Sequence, residues 1–520
     1  MKTVAVDGET LTIHDAVAVA RRGATVVFPP KTRQRVQRCR RALEEIVRTE
    51  KTLYGVTTGF GALGTVRVSS KNIKELQRNL IRSHAAGVGK PLPKDVTRAL
   101  MLLRVNTLAK GNSGIRLKTL ETLINMINRG VHPVIPEKGS VGASGDLSPL
   151  AHMTLVMMGE GEAEYKGATM SGKEAMAKAG IDPVELDSKE GIALINGAQM
   201  MTAIGALATW DSETLIETAE TATALSLEAL RGIDDAFDAR IHRVRPFPGQ
   251  IESARNIRLL TAGSKLVCSS SETLRMTANR SPQDPYSLRC APQVLGAARD
   301  AIAYARRTIE TELNSATDNP LVFPEDKECL SGGNFHGQPI AVAMDLLGIA
   351  LTIIGNISER RIARLIDENL SEGLPAFLIS RAVKKGMNSG YMAIQYTAAS
   401  LASENKTLAH PASADSIPTS ANFEDFVSMG TISARKAAEI LHNVEFIVAI
   451  ELLCAAQGID FRGPNQLGKG TEMIFRMIRE HVPMLRKDRI LSSDIQVISE
   501  LVRNGEFSKV LKTLKYGKPK

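Results

Sequence analysis

Four stretches, 199–231, 291–315, 338–369 and 430–457, keep apolar residues at helical spacing over more turns than a globular helix usually has. At 1.5 Å per residue, a thirty-residue helix is ~45 Å long. A rod of that length hides its apolar stripe by lying along others of its kind, so the chain must build a bundle of long helices. Shorter helical patterns cover 95–109, 115–129, 150–159, 389–405 and 470–480. The first thirty residues differ. Thr3 to Val6 is strand-like, Asp7-Gly8 is a turn signal, and Ala24 to Phe28 is a β-branched run closed by Pro29-Pro30. The expected fold is therefore mainly α, a long-helix bundle core with a smaller mixed N-terminal region. The expected division is an N-terminal domain over 1–200 and a long-helix core domain with a C-terminal helical region over 201–520. With one Trp and seven Tyr, the core must be mostly aliphatic.

The formal net charge of +9 reads as a solvated surface. Its densest basic run, Lys31 to Arg41, has Val36, Leu43, Ile46 and Val47 at helical spacing, the pattern of one amphipathic helix with a basic outer face. Aromatic residues do not interleave with it, so stacking on bases is unsupported and no nucleic-acid partner is expected. Cys39, Cys268, Cys290, Cys329 and Cys454 are odd in number and widely spaced, which suits free thiols in a reducing compartment. The start lacks the apolar core of a signal peptide, and Asp345 interrupts the most apolar stretch, Pro339 to Ile357. That stretch reads as a buried helix, with no membrane partner and a cytoplasmic location expected.

Gly-, Asn-, Ser- and Asp-rich loops separate the helices at 54–64, 139–149, 196–199, 283–289, 317–320, 331–338 and 403–430. Function concentrates on such loops, here assembled from distant segments. Several motifs in them are decoys. Gly59 to Gly64 fits G-x-G-x-x-G, but Thr65-Val66-Arg67-Val68 follows it where a dinucleotide fingerprint needs a helix. Gly142 to Asp146 misses the nucleophile elbow by its last residue, and Ser403 to Lys406 fits S-x-x-K without its partner motifs. The nine histidines show no metal-ligand spacing, so no metal is expected.

Gly139-Ser140-Val141-Gly142-Ala143-Ser144-Gly145-Asp146-Leu147-Ser148-Pro149-Leu150 is different. Its small residues allow a tight fold-back, and Ser148-Pro149 looks like a helix start with Ser as N-cap and Pro at the first position. The stretch resembles the signature of the aromatic amino acid lyase family, which includes histidine, phenylalanine and tyrosine ammonia-lyases and related aminomutases. Further resemblance lies in Tyr54 to Gly61, Asn196-Gly197, Gln283 to Cys290, Thr317 to Pro320, Gly332 to Gly337, Glu404-Asn405-Lys406 and Ser428 to Gly430. The resemblance implies a 4-methylidene-imidazol-5-one group (MIO). It forms when the Gly145 nitrogen attacks the Ala143 carbonyl, two waters leave, and the Ser144 side chain becomes a methylidene. It also implies a homotetramer whose active sites draw on several subunits.

Elimination of ammonia across Cα–Cβ needs an electrophile to take the amine and a base for the β-proton. By resemblance, Ala143, Ser144 and Gly145 supply the electrophile and Tyr54 the base. Asn196 resembles the donor that polarises the MIO carbonyl, while Arg289 and Asn319 resemble the carboxylate grip. Gln283 and Tyr286 resemble further polar contacts, and Phe335 an aromatic wall.

Ser83-His84 stands at the family's selectivity pair, and Glu424 occupies a place where phenylalanine and tyrosine lyases usually carry Gln. A carboxylate accepts from an imidazole N–H and is costly beside a phenyl ring. Together they imply an amino acid substrate with an imidazole, L-histidine, giving trans-urocanate. Phe423 and Phe426 depart from that pattern, where Gln and His are usual, and make the pocket edge more apolar. They leave open a tyrosine or phenylalanine ammonia-lyase or an aromatic 2,3-aminomutase. A non-catalytic helical scaffold is the remaining alternative, opposed by the retention of Tyr54, Ser144, Asn196 and Arg289.

Overall fold

The long patterned stretches form helices Gln199–Ala229, Ala291–Leu313, Gln338–Ile366 and Gly430–Arg462 in the computed structural model, so the protein is mainly α as expected. Residues 2–49, 53, 55–59, 61, 64–272, 281–380, 382–384 and 386–517 are described by the structure. Contacts divide the chain into two units. The first comprises Met1–Trp210, Ala305–Asp345 and Pro411–Arg435; the second comprises Asp211–Tyr304, Leu346–His410 and Lys436–Lys520.

In the first unit the expected N-terminal strands are Thr3–Ala5 and Thr25–Val27, paired in parallel. Between them runs the helix Ile13–Arg22. Thr12 and Asp15 close a capping box at its start, and Gly23, at φ 67°, ends it in the left-handed conformation that glycine adopts at least cost. This helix packs on Lys94–Ala109, in which every residue from Ala99 to Ala109 is buried. One of them is Arg104. The basic run lies on helix Pro30–Arg48 as expected, with one correction. Arg40 points inward, bonding Glu44 at 2.7 Å and the Ser188 carbonyl at 3.0 Å. Helical spacing had placed it with the outer basic face, but Glu44 one turn along the helix and the sequence-distant Ser188 carbonyl hold it inward.

This unit also holds a three-stranded antiparallel sheet (Val131–Pro133, Glu162–Tyr165, Ala168–Ser171), the antiparallel pair Val88–Pro91 with Pro136–Lys138, and the hairpin Leu321–Phe323 with Glu328–Leu330. The helical pattern 389–405 and the loop 403–430 overlapped; residues 403–408 end the helix Met392–Leu408 of the second unit. Asn405 is fully buried there and bonds Asn443 at 2.9 Å, so its polar character marks a partner, not a loop.

In the second unit, Glu451 draws three long helices together. It accepts from Arg361 at 2.5 and 2.8 Å, from Ser226 at 2.7 Å and from Ser358 at 2.6 Å. Both charged partners are fully buried, and such an ion pair is tolerated when every lone pair is occupied. The helix Gln338–Ile366 is long and apolar enough to cross a membrane, yet 72% of that window is buried inside the protein, as in the core helix of a globular chain.

Candidate active site

The small-residue loop folds back on itself through an isolated antiparallel bridge between Gly142 and Gly145, which puts Ala143 and Ser144 at the tip. Both glycines are left-handed, at φ 71° and 74°. Space also demands them. A Cβ on Gly142 would lie 2.2 Å from Ser428 Oγ, and one on Gly145 would lie 2.3 Å from the Gly197 carbonyl oxygen.

Asp146 anchors the loop from below. It is fully buried and accepts hydrogen bonds from Ser140 Oγ at 2.8 Å, from the Met201 N–H at 2.9 Å and from Thr431 Oγ1. Burial pushes its carboxyl up from the usual range, against the lowering by these donors. The following helix begins at Leu147, with Asp146 as N-cap, not Ser148. Pro149 thus sits in the third helical position. It is tolerated because the first four helical N–H groups have no partner in the helix.

Asn196 ends the short helix Glu190–Ile195, and its Nδ2 donates to the Ser144 carbonyl oxygen at 3.1 Å. Arg104 holds it from behind, donating to the Asn196 carbonyl at 2.8 Å and to Gln199 Oε1 at 2.7 Å. Burial pulls the Arg104 guanidinium down to about 10. From the sequence Arg104 carried one signal, a charge set in the apolar run from Ala99 to Val105.

Around Ser144 lies a cavity of about 610 Å³, large enough for an amino acid. Ala143, Ser144, Asn196, His84, Asn319, Phe335 and Glu424 all line it, so seven of the expected site residues converge. Ser144 Oγ donates to Glu424 Oε1 at 3.0 Å. His84 closes the helix Ile73–His84, its Nδ1 lying 2.9 Å from the Leu80 carbonyl. Asn319 follows Asp318, whose carboxylate forms a fully buried ion pair with Lys189 at 2.6 Å and accepts from the Asn319 N–H at 2.7 Å. Asn319 Oδ1 in turn accepts from the Gly332 N–H at 2.8 Å.

Phe423 and Phe426 also line the cavity, each 62% exposed. His336, not anticipated, stacks on Phe426 with ring centroids 6.1 Å apart. Three further expected residues do not line the cavity. Gln283, Tyr286 and Arg289 belong to the second unit, where the Arg289 guanidinium lies 4.7 Å from the Tyr286 ring centroid. Tyr54 lies outside the described residues. Among the described residues no group of three or more His, Cys, Asp or Glu could hold a metal ion.

A family model described as aromatic amino acid lyase matches residues 11–480. The chain belongs to the aromatic amino acid lyase family. A histidine ammonia-lyase of Caldanaerobacter subterraneus subsp. tengcongensis is 55% identical over 512 residues, covering 98% of this chain and 99% of the relative. Among solved structures, tyrosine aminomutase from Streptomyces globisporus superposes with a TM-score of 0.94 at 41% identity, over 100% of this chain and 99% of its own. Histidine ammonia-lyase from Trypanosoma cruzi does so with a TM-score of 0.90 at 42% identity, over 99% and 96%. As a member of the aromatic amino acid lyases, the chain is a carbon–nitrogen lyase.

The residues present fit the family's MIO. Cyclisation through the Gly145 nitrogen would expel the Ala143 oxygen and keep the Ser144 carbonyl, which is the one that Asn196 already contacts. Among the described residues Asn196 Oδ1 is buried without a partner, so the side-chain amide makes its contact through donation to that carbonyl.

Proposed function

We propose that this aromatic amino acid lyase eliminates ammonia from L-histidine to give trans-urocanate, with an MIO formed from Ala143, Ser144 and Gly145. The carrying observation is the Glu424 carboxylate, 3.0 Å from Ser144 Oγ in the cavity that His84 also lines. Histidine ammonia-lyases 49–55% identical over nearly the whole chain support the same substrate.

When formed, the group supplies an electrophile for the substrate amine. The chain's own residues do the rest. Asn196 donates to the Ser144 carbonyl and stabilises charge there. Glu424 accepts the imidazole N–H and orients the ring against Phe335. Asn319 shares the substrate carboxylate with Arg289, and Tyr54 removes the β-proton. Gln283, Tyr286 and Arg289 complete the site from neighbouring subunits of a homotetramer. Half-exposed Leu346, Ile349 and Ile353, on one face of the helix Gln338–Ile366, support such an assembly. Dilution to monomers should then abolish turnover. We place the enzyme in the cytoplasm, acting on a free amino acid without nucleic acid or membrane.

The test is incubation of the purified protein with L-histidine, L-tyrosine and L-phenylalanine separately, following near-ultraviolet absorbance for a conjugated acrylate. A rise with L-histidine alone is expected. Phe423 and Phe426 at the cavity favour one second reading, a tyrosine lyase or aromatic 2,3-aminomutase. A rise with tyrosine, or a β-amino acid product, would establish it.

A further inference from the structure

Glu424 sits at one end of a tight hairpin. Thr419 and Glu424 pair across it as an antiparallel bridge. The Thr419 N–H donates to the Glu424 carbonyl at 2.9 Å, and the Glu424 N–H to the Thr419 carbonyl at 3.3 Å. Between them Ser420, Ala421 and Asn422 take φ of 51°, 52° and 64°. Three consecutive non-glycine residues in the left-handed region are rare, because L side chains crowd the backbone there. Such a conformation persists only where the surroundings over-determine it. Here the bridge, the Phe423 N–H to Ser420 carbonyl bond at 3.0 Å and the close approach of Ser420 Oγ to Gly61 do so.

The turn reverses the chain within four residues, which makes Thr419 and Glu424 cross-strand neighbours with side chains on one face. Thr419 Oγ1 uses this proximity and donates to Glu424 Oε2 at 2.9 Å. The two carboxylate oxygens are thus divided. Oε2 is tied to the hairpin, and Oε1 faces Ser144. The last torsion of a glutamate is broad and roughly two-fold when nothing holds it. One anchored oxygen removes that freedom.

We propose that Thr419 is a positioning residue for substrate choice: its hydroxyl, presented by the left-handed turn, locks the Glu424 carboxylate so that Oε1 meets the N–H of an imidazole side chain. This rests on the reading of Glu424 as the partner of the substrate ring. Thr419 would touch no substrate atom and would act only through Glu424.

The test uses the full-length assembled enzyme carrying Thr419→Val, Thr419→Ser, Glu424→Gln and the Thr419→Val/Glu424→Gln pair. The measured quantities are kcat and KM on L-histidine and L-tyrosine, with near-ultraviolet absorbance of the protein as a check on the prosthetic group. A lost hydrogen bond to a charged group predicts that Thr419→Val lowers kcat/KM for L-histidine about tenfold or more, with absorbance unchanged. Thr419→Ser should restore it, and in the Glu424→Gln background Thr419→Val should add little. Should the valine variant fail to assemble, Thr419→Ala removes the same hydroxyl and answers the question. Wild-type kcat/KM in the hydroxyl-free variant, or equal losses in both backgrounds, overturns the positioning role while the lyase reading stands. Wild-type protein inactive on L-histidine overturns both.

Discussion

Gly142→Ala perturbs the loop at a place where the cost can be apportioned. The new Cβ would lie 2.2 Å from Ser428 Oγ, while the next nearest atoms, the Gly430 and Met429 nitrogens, stand at 3.5 Å. The whole steric conflict is therefore with one hydroxyl. Ser428 is fully buried, and its Oγ contacts the Gly142 carbonyl at 3.4 Å and the Gly430 N–H at 3.3 Å, so turning it aside breaks both contacts. Alanine in the left-handed region costs about 1–2 kcal/mol, and an overpacked contact about 1–3 kcal/mol more. If turnover needs this loop geometry, the sum of about 2–5 kcal/mol predicts a loss between about 30-fold and a few thousand-fold, since each ~1.4 kcal/mol is tenfold. Adding Ser428→Ala removes the clash but leaves the backbone strain and the loss of both Ser428 contacts, so the double variant should recover in part, to no better than about 5- to 30-fold below wild type. The assay is turnover per folded chain, with intact mass reporting whether two waters have been lost. Full activity in Gly142→Ala, or no recovery in the double variant, would refute the reasoning. Gly145→Ala is the control. Its conflict at 2.3 Å is with the Gly197 backbone, so no side-chain change should rescue it.

Other outcomes follow from the same geometry. Ser144→Ala should keep the fold by circular dichroism, retain the mass of both waters and lower turnover by orders of magnitude; a rate near wild type would exclude the prosthetic group. Arg104→Met should leave the Asn196 carbonyl and Gln199 without their shared donor and cost a few kcal/mol of stability, measured by denaturant unfolding. Glu228, in the second unit, is buried and pushed up from 4.5 to about 7 by desolvation. Its folded form binds the proton more tightly, so it destabilises the fold progressively as pH rises from about 4.5 to 7. Glu228→Gln should therefore raise the free energy of unfolding at pH 8, by about 3 kcal/mol at most, and change little at pH 4. An equal shift at both pH values would contradict that origin.

Much of this was legible in the sequence. The long helices declared themselves because a stripe thirty residues long has one packing solution, and the ends of 199–231, 291–315 and 338–369 fell within a few residues of the structure. The cavity residues Ser144, Asn196, His84, Asn319, Phe335 and Glu424 were found by resemblance, their local composition being that of ordinary loops. Supports were harder to read. Asp146 and Thr431 meet across 285 residues, and the sequence showed Asp146 only as the residue that breaks the nucleophile-elbow pattern. Nothing local in Ser420-Ala421-Asn422 announces a left-handed turn, because tertiary hydrogen bonds impose it against intrinsic preference. Arg104 drew no reading from the sequence, because its partners at Asn196 and Gln199 lie about ninety residues away.

The buried pair of Lys189 and Asp318 sets a condition on how this protein can change over time. The partners stand 129 residues apart, and neither side chain reaches solvent. Losing one would strand the other's charge in the interior at a cost of roughly 3–5 kcal/mol, a large part of a typical fold's margin. A lineage replacing either residue alone would pass through a form that barely folds and carries a disturbed Asn319. The two positions should therefore drift together or stay as they are, and a survey of distant relatives should find double replacements far more often than single ones.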